Sequence, residues 1–405
     1  MTTIKLNTKM FASLLSRAAK CSLKNSVDML AELIEIKLKD GVLSLRTTDT
    51  RNTLVLRMPN VTGDDFSAVI SVTLFEKIVN KTTKEEIELC VDDTAVTLKG
   101  NGTYKFARPI EGNQHIEFSS IPLISEPDIR VEMKLADIRN ALKYNGNFVG
   151  SVFVDPTIAG FYFGENVVTT DGYNACFLKT KFFENDVMLY ESTVNLLDEF
   201  DGDSVVFLKK GKHVQFYNST ALLNTVDHQE TENFPNEELS KFLEDTFESG
   251  VTISVKEAQS VLDRVMLFVD GRLGSSAAIL SFEESGIVVT DKGGSVNEII
   301  SYKNPVNFKP FTCKVSAPDF NKALNIDVSD DIILRYGNEI SVRLDVGDVT
   351  RILALVPDEE DTDISAAFSE EAQNISEETE IGDEPPFDLG AETADTADSL
   401  SNIEW

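Results

Sequence analysis

A short strand-like run, followed within a few residues by a helix carrying apolar residues at i, i+3 and often i+4, occurs six times along the chain. That spacing puts the apolar side chains on one helical face. The copies are "IKL" with Phe11, Leu14 and Leu15; "AVI" with Phe75, Ile78 and Val79; "VEM" with Ile138, Ala141 and Leu142; "VML" with Val194 and Leu197; "TISV" with Ala258, Val261 and Leu262; and "CKV" with Phe320, Ala323 and Leu324. Their first anchors fall at 11, 75, 138, 194, 258 and 320, at intervals of 64, 63, 56, 64 and 62 residues. The copies run on into alternating segments broken by turn residues, such as "LIEIKLKDGVLSLRTTD", "EIELCVDDTAVTLKG", "SVVFLKKGKHVQFYN" and "IILRYGNEISVRLDV". These read as hairpins. The repeating unit is therefore one strand, one helix and a small antiparallel meander.

One helix on one small sheet is a poor core. The units should pair back to back, giving an α+β protein of three similar domains with two repeats each. Breaks at "SSIPLISEPD" and "ENFPNEELSKFLEDTFESG" set the domains at 1–122, 127–247 and 250–357, with a tail at 358–405. Such domains can join edge to edge through their sheets, and closing a ring of them removes the exposed edges.

Charge separates the parts further. The net charge is −31, no Lys or Arg follows Arg351, and the last 48 residues hold seventeen acids, which leaves the body near −14. A uniformly acidic exterior repels nucleic acid, so any DNA contact has to be local. Residues 8–24 carry four positive charges (Lys9, Arg17, Lys20, Lys24) and no acid. Over the six helical stretches the charges are +4, +2, +2, −3, 0 and 0, the fourth being acidic through Glu191, Asp198 and Glu199. The bases either make solvated faces or form a phosphate-facing surface, and the clean first helix favours the second reading. The fourth helix stands against it.

Catalytic constellations are missing. Histidines 115, 213 and 228 have no metal-ligand spacing, and "GNG" and "KGGS" lack the Lys-Ser/Thr of a phosphate loop. Asp171 in "TTDG" reads as a turn carboxylate. No catalytic residue, metal or cofactor is expected. Four scattered cysteines suggest reduced thiols, and the absence of a long apolar run or a signal-peptide core suggests a cytoplasmic protein without a membrane partner.

Several stretches resemble the bacterial-type DNA polymerase III β subunit, the sliding or processivity clamp: "IKLKDGVLSLRTTDT", "VVTTDGYNACFL", "ENFPN" and "RILALVP". The likeness covers about residues 1–357 in order, at the low overall identity of a divergent, bacterial or phage-encoded, member. The resemblance implies a head-to-tail homodimeric ring around double-stranded DNA, gripped without sequence preference, with DNA polymerase and clamp loader as partners. DNA contacts would fall on Lys20, Lys24, Lys77, Lys81, Arg139 and Lys143. It also implies a partner-peptide pocket between domains 2 and 3. The pocket would use Thr170, Gly172, Tyr173, Asn174 and Ala175, with Pro235 and Leu239, then Leu355, Val356 and Pro357. Basic residues common in that pocket are absent at Asn174 and Leu239, and the chain runs on past Pro357. The dimer seam would use Tyr104, Lys105, Phe106 and Arg108 from one protomer against Leu267, Phe268 and Glu298 from the other; the two aromatics fit an ordinary core equally well.

Two readings of the tail stand: a disordered solubilising segment, or a carrier of a peptide ligand at Phe387, Leu389 or Trp405. For the whole protein the alternative to a clamp is a clamp-like acidic decoy that binds clamp partners without encircling DNA.

Overall fold

The structure is a computed structural model that describes residues 2–244, 247–269, 277–326 and 330–357, so the tail expectations lie outside the described residues. Over the described residues run α1 (Thr8–Ala19), α2 (Val72–Asn80), α3 (Leu135–Asn145), α4 (Glu191–Leu197), α5 (Asn236–Glu244), α6 (Val255–Val265) and α7 (Ala317–Ala323). All but α5 follow directly on a strand: Thr2–Asn7, Phe66–Ser71, Ile129–Lys134, Val187–Tyr190, Ser249–Ser254 and Phe311–Ser316. These are the six repeats.

The change from strand to helix is set locally. Asn7 turns the chain into α1 by accepting the Met10 amide at 3.1 Å, and Ser316 does the same for Asp319 at 3.4 Å with Pro318 in the first turn of α7. Such caps are worth about 1 kcal/mol each. The anchors then go inside. Phe11, Leu15, Phe75 and Val79 are buried, and the Phe75 ring meets Phe11 and Phe106 edge-on at 6.0 and 5.1 Å. After the helices come the expected hairpins. Asp40 and Gly41 both take positive φ (50° and 77°), the conformation that a tight "DG" hairpin turn needs.

Paired units exchange their first strands. Thr2–Asn7 pairs with Glu86–Val91 of the second unit, while Phe66–Ser71 pairs with Leu33–Lys39 of the first. The same exchange joins Ile129–Lys134 to Ser204–Lys210 and Val187–Tyr190 to Gly160–Phe163. It recurs a third time, in Ser249–Ser254 with Asp331–Tyr336 and Phe311–Ser316 with Ala277–Glu283. Each domain thereby covers its two helices with two sheets, the back-to-back core that a single unit cannot provide.

The domains are then stitched edge to edge by one rule. The third meander strand of a domain's first unit pairs antiparallel with the third meander strand of the next domain's second unit. At the joint of domains 1 and 2 this is Thr53–Met58 with Ala221–Val226; at the joint of domains 2 and 3 it is Asn174–Leu178 with Val349–Ala354. The results are an eight-stranded and a nine-stranded sheet running through the joints. Two strands of this class remain as the ends of four-stranded sheets: Thr103–Ala107 in domain 1 and Asn297–Ile300 in domain 3.

Outside the repeats, α5 lays Leu239, Phe242 and Leu243 on a second apolar cluster that includes Tyr162, Ala175, Phe177, Phe234 and Ile352. It thus roofs strands of domains 2 and 3 together, where the sequence has a domain break and, by resemblance, the pocket residues Pro235 and Leu239. The four cysteines are buried and free, and burial raises the thiols of Cys21, Cys176 and Cys313. Among the described residues, no helix is long and apolar enough to cross a membrane.

Candidate nucleic-acid and partner interfaces

Three of the six expected phosphate-binding residues come together. Lys20 at the end of α1 and Arg139 and Lys143 on α3 line one recess of about 590 Å³ with Asn195, Asp198 and Glu199 from α4 and its C-terminal turn. Asp198 and Glu199 at the end of the fourth helix, with Asp201 after it, face bases of α1 and α3. Arg17 Nη1 lies 2.9 Å from Asp201 Oδ2, its Nε lies 3.6 Å from Glu199 Oε2, and Lys20 also pairs with Glu199. Arg139 Nε lies 3.0 Å from Asp198 Oδ1, and its Nη2 donates to the Phe200 carbonyl at 2.8 Å. Lys24, Lys77 and Lys81 are exposed at other points: beyond α1, in the last turn of α2 and at its C-cap. Among the described residues, no group of three His, Cys, Asp or Glu side chains is placed to hold a metal ion.

The expected pocket residues divide into frame and display. In "TTDGYN" the Thr170 hydroxyl donates to the Asn174 carbonyl (2.8 Å), and the Asn174 and Tyr173 amides donate to Asp171 Oδ1 (2.7 and 3.0 Å). Asn174 Nδ2 donates to Asp171 Oδ2 at 3.1 Å. Thr170, Asn174 and Ala175 are therefore buried framework, while Tyr173 stands 81% exposed. Gly172 takes φ 92° beside Ile158. Leu355 and Val356 run along the start of the α7 unit: the Val356 amide donates to the Lys314 carbonyl at 2.8 Å, and Leu355 bridges to Val315. Pro235 leads into α5, Leu239 lies under it and Pro357 is exposed.

The same turn exists in domain 1 as "TTDTRN", a likeness the sequence reading passed over. Thr48, Asp49 and Asn52 repeat the hydroxyl, amide and side-chain bonds at 2.7, 2.6 and 2.8 Å, and Thr50 takes φ 79° where Gly172 sits. Arg51 then corresponds to Tyr173. The His228 amide donates to the Met188 carbonyl as Val356 does to Lys314, so His228 corresponds to Val356, and Tyr190, the N-cap of α4, to Ser316. At the first joint these positions are filled by a stack. The Arg51 guanidinium sits 3.7 Å from the Tyr190 ring centre, and the Tyr190 and His228 rings are 4.1 Å apart. At the second joint they are Tyr173, Ser316 and Val356, smaller or turned to solvent.

Arg351 was legible only as the last base of the chain. It is fully buried in the strand Val349–Ala354 opposite Cys176. Its Nη1 donates to the carbonyls of Ala323 (2.8 Å), Lys322 (3.1 Å) and Asn325 (3.3 Å), and its Nη2 to that of Tyr144 (2.8 Å). These oxygens lie at the C-terminal ends of α7 and α3, where helix dipoles favour a cation. No carboxylate is needed.

The expected seam residues lie at the two sheet ends. Leu267 is 82% exposed, Phe268 is exposed beside it and Ile299 projects from the end strand. Glu298 makes a forked pair with Arg264 at 2.8 and 2.9 Å. On the domain 1 side Tyr104 and Lys105 are exposed, while Phe106 is buried against Phe75, as the ordinary-core alternative for that residue expects. Strand alternation puts both aromatics on one face, and only Phe106 lies over the helices. Arg108 donates to the carbonyls of Asp92 and Ser67 at 3.2 and 3.3 Å.

No protein-family model matches the chain, and comparison with curated proteins by sequence finds no match. Solved structures do match. The DNA polymerase III β subunit of Thermotoga maritima superposes with a TM-score of 0.74 at 15% identity, over 88% of this chain and 100% of that one. That of Borrelia burgdorferi gives 0.76 at 14% identity, with the same coverage. The DNA polymerase sliding clamp of Bacillus subtilis gives 0.74 at 14%, over 88% of this chain and 99% of that one. Six repeats, exchanged first strands and sheets that run through the joints are thus one architecture with these proteins: the chain has the sliding-clamp fold of the bacterial DNA polymerase III β subunits.

Proposed function

We propose that the protein is a DNA sliding clamp, a non-catalytic processivity subunit acting in the cytoplasm of a bacterium or a phage-infected host. The observation that carries this reading is the joint rule. Both joints within the chain pair the same class of meander strand, and the two strands of that class left over are Thr103–Ala107 and Asn297–Ile300, at opposite ends of the molecule's domain order. A second copy, set head to tail, can apply the rule twice more and close a ring of six units per chain. Leu267, Phe268 and Ile299 would be covered in that seam. With domains bounded at 1–122, 127–247 and 250–357, the α1–α4 and α6–α7 faces would line the hole. Contacts to phosphate carry no base code, so the ring would slide.

The outer site for a polymerase or clamp loader is the second joint. Its turn presents the exposed Tyr173 at the position that Arg51 of the stack holds in the first joint. A second reading, the decoy that binds partners without encircling DNA, draws on the ion-paired recess at Lys20 and Arg139. Retention on covalently closed circular DNA separates the two. A clamp loaded on a closed circle stays bound in high salt and runs off after linearisation. Equal loss from circular and linear DNA would reject encirclement.

A further inference from the structure

We propose that the acidic turn after α4 is a built-in counter-ion for the DNA-facing bases, which weakens the grip of this sector of the ring on phosphate. The inference rests on the sliding-clamp reading above. Asp198, Glu199 and Asp201 belong to domain 2, whereas two of the three bases they meet, Arg17 and Lys20, belong to α1 of domain 1. The side chain of Glu199 is only 6% exposed. A carboxylate withdrawn from water needs close cations, and Arg17 and Lys20 supply them from across the joint.

Their reach differs. Arg17 is largely enclosed by Glu199 and Asp201, while the heads of Lys20 and Arg139 remain open to solvent at the rim of the recess. Lys20 and Arg139 can therefore turn to a phosphate only by leaving Glu199 and Asp198. Each such exchange swaps one anion for another, so it releases less net attraction than a base facing water would. The acid-free first helix and the acidic fourth are thus two halves of one device, and the positive charge counted along α1 overstates the charge available to DNA.

The test uses the full-length dimer, a fluorescent 30-base-pair duplex and fluorescence anisotropy from 25 to 200 mM NaCl. The variants are Asp198→Asn, Glu199→Gln and the double change, with Glu237→Gln on α5 as a remote charge control. Each base returned to phosphate adds about 0.9 to the slope of log affinity against log salt. The double variant is expected to steepen the slope by about 2 and to bind at least tenfold more tightly at 50 mM; Glu237→Gln should match the parent. Asp198→Asn alone should add about 0.9, and it decides the matter if loss of the buried Glu199 charge impairs folding. Parent and variants with one slope, within twofold in affinity, would overturn the counter-ion and leave the clamp reading intact. No salt-dependent binding by any of them would also overturn the counter-ion, while the clamp reading stands or falls separately on retention on closed circular DNA.

Discussion

The joint between domains 1 and 2 and the joint between domains 2 and 3 share strand pairing and register, yet they are filled in opposite ways. Leu56 with Ala221 corresponds to Leu178 with Val349, so the apolar pair Leu54 and Leu223 stands where Cys176 and Arg351 stand in the second joint. In the first joint charge lies at the rim, as the Arg17, Lys20 and Glu199 pairs and the Arg51–Tyr190–His228 stack. In the second, one buried arginine holds two helix ends at the centre, and the rim is left to the exposed Tyr173 and the α5 roof. A duplicated frame thus gives one joint closed at its turn and one open there, and the open one is the site proposed for a partner.

The comparison can be broken at its centre first. Arg351→Ala removes four hydrogen bonds that the guanidinium donates to carbonyls at the ends of α7 and α3. It should lower the unfolding free energy by about 3–5 kcal/mol in denaturant titration; a loss under 1 kcal/mol would deny Arg351 its role. Next in size, Tyr190→Ala removes both halves of the stack and should cost about 2 kcal/mol. Tyr173→Ala, at the corresponding turn, should leave stability unchanged and weaken partner binding.

Gly172→Ala and Thr50→Gly sharpen the likeness of the turns. An added Cβ at Gly172 has room, with Ile158 Cδ1 at 3.6 Å, so its cost comes from positive φ and should be about 1 kcal/mol. Thr50→Gly relieves the same strain but adds freedom to the unfolded chain, for a net gain of about 0.5 kcal/mol. Opposite signs in thermal denaturation are the expected result.

The smallest effect is on pH dependence. Burial holds His228 below its ordinary 6.5, with Arg51 lowering it further and Glu230 and Asp227 opposing. The folded state keeps the ring neutral while the unfolded chain takes up a proton. Its contribution is therefore complete above pH 6.5 and is lost as pH falls through the folded value. His228→Val, the residue found at the corresponding site, should flatten the fall in stability as pH drops below the ordinary histidine value of 6.5.

Periodicity made the architecture legible. Anchors such as Phe11, Phe75 and Phe320 mark helices because a one-sided helix must bury its stripe, and that constraint is local. "KDG" and "KKGKH" mark hairpins for the same reason. What lay hidden depends on partners distant in sequence. Arg351 looks like one more surface base until α3 and α7 bring their carbonyl ends to it. Asp198 and Glu199 look like an obstacle to a basic face until the fold sets them against Arg17, Lys20 and Arg139. Phe106 and Tyr104 share a strand face, and only packing separates the core residue from the exposed one. The twin turn at Thr48–Asn52 carries a readable signal in "TTD" followed by Asn.

The central claim is that the two leftover strand ends meet in a second copy. Solution mass by multi-angle light scattering over a dilution series tests it most directly. The account predicts twice the 44.8 kDa chain mass at micromolar concentration, with dissociation toward one chain when Leu267 and Phe268 are both changed to Asp. A single-chain mass at every concentration for the unaltered protein would contradict it.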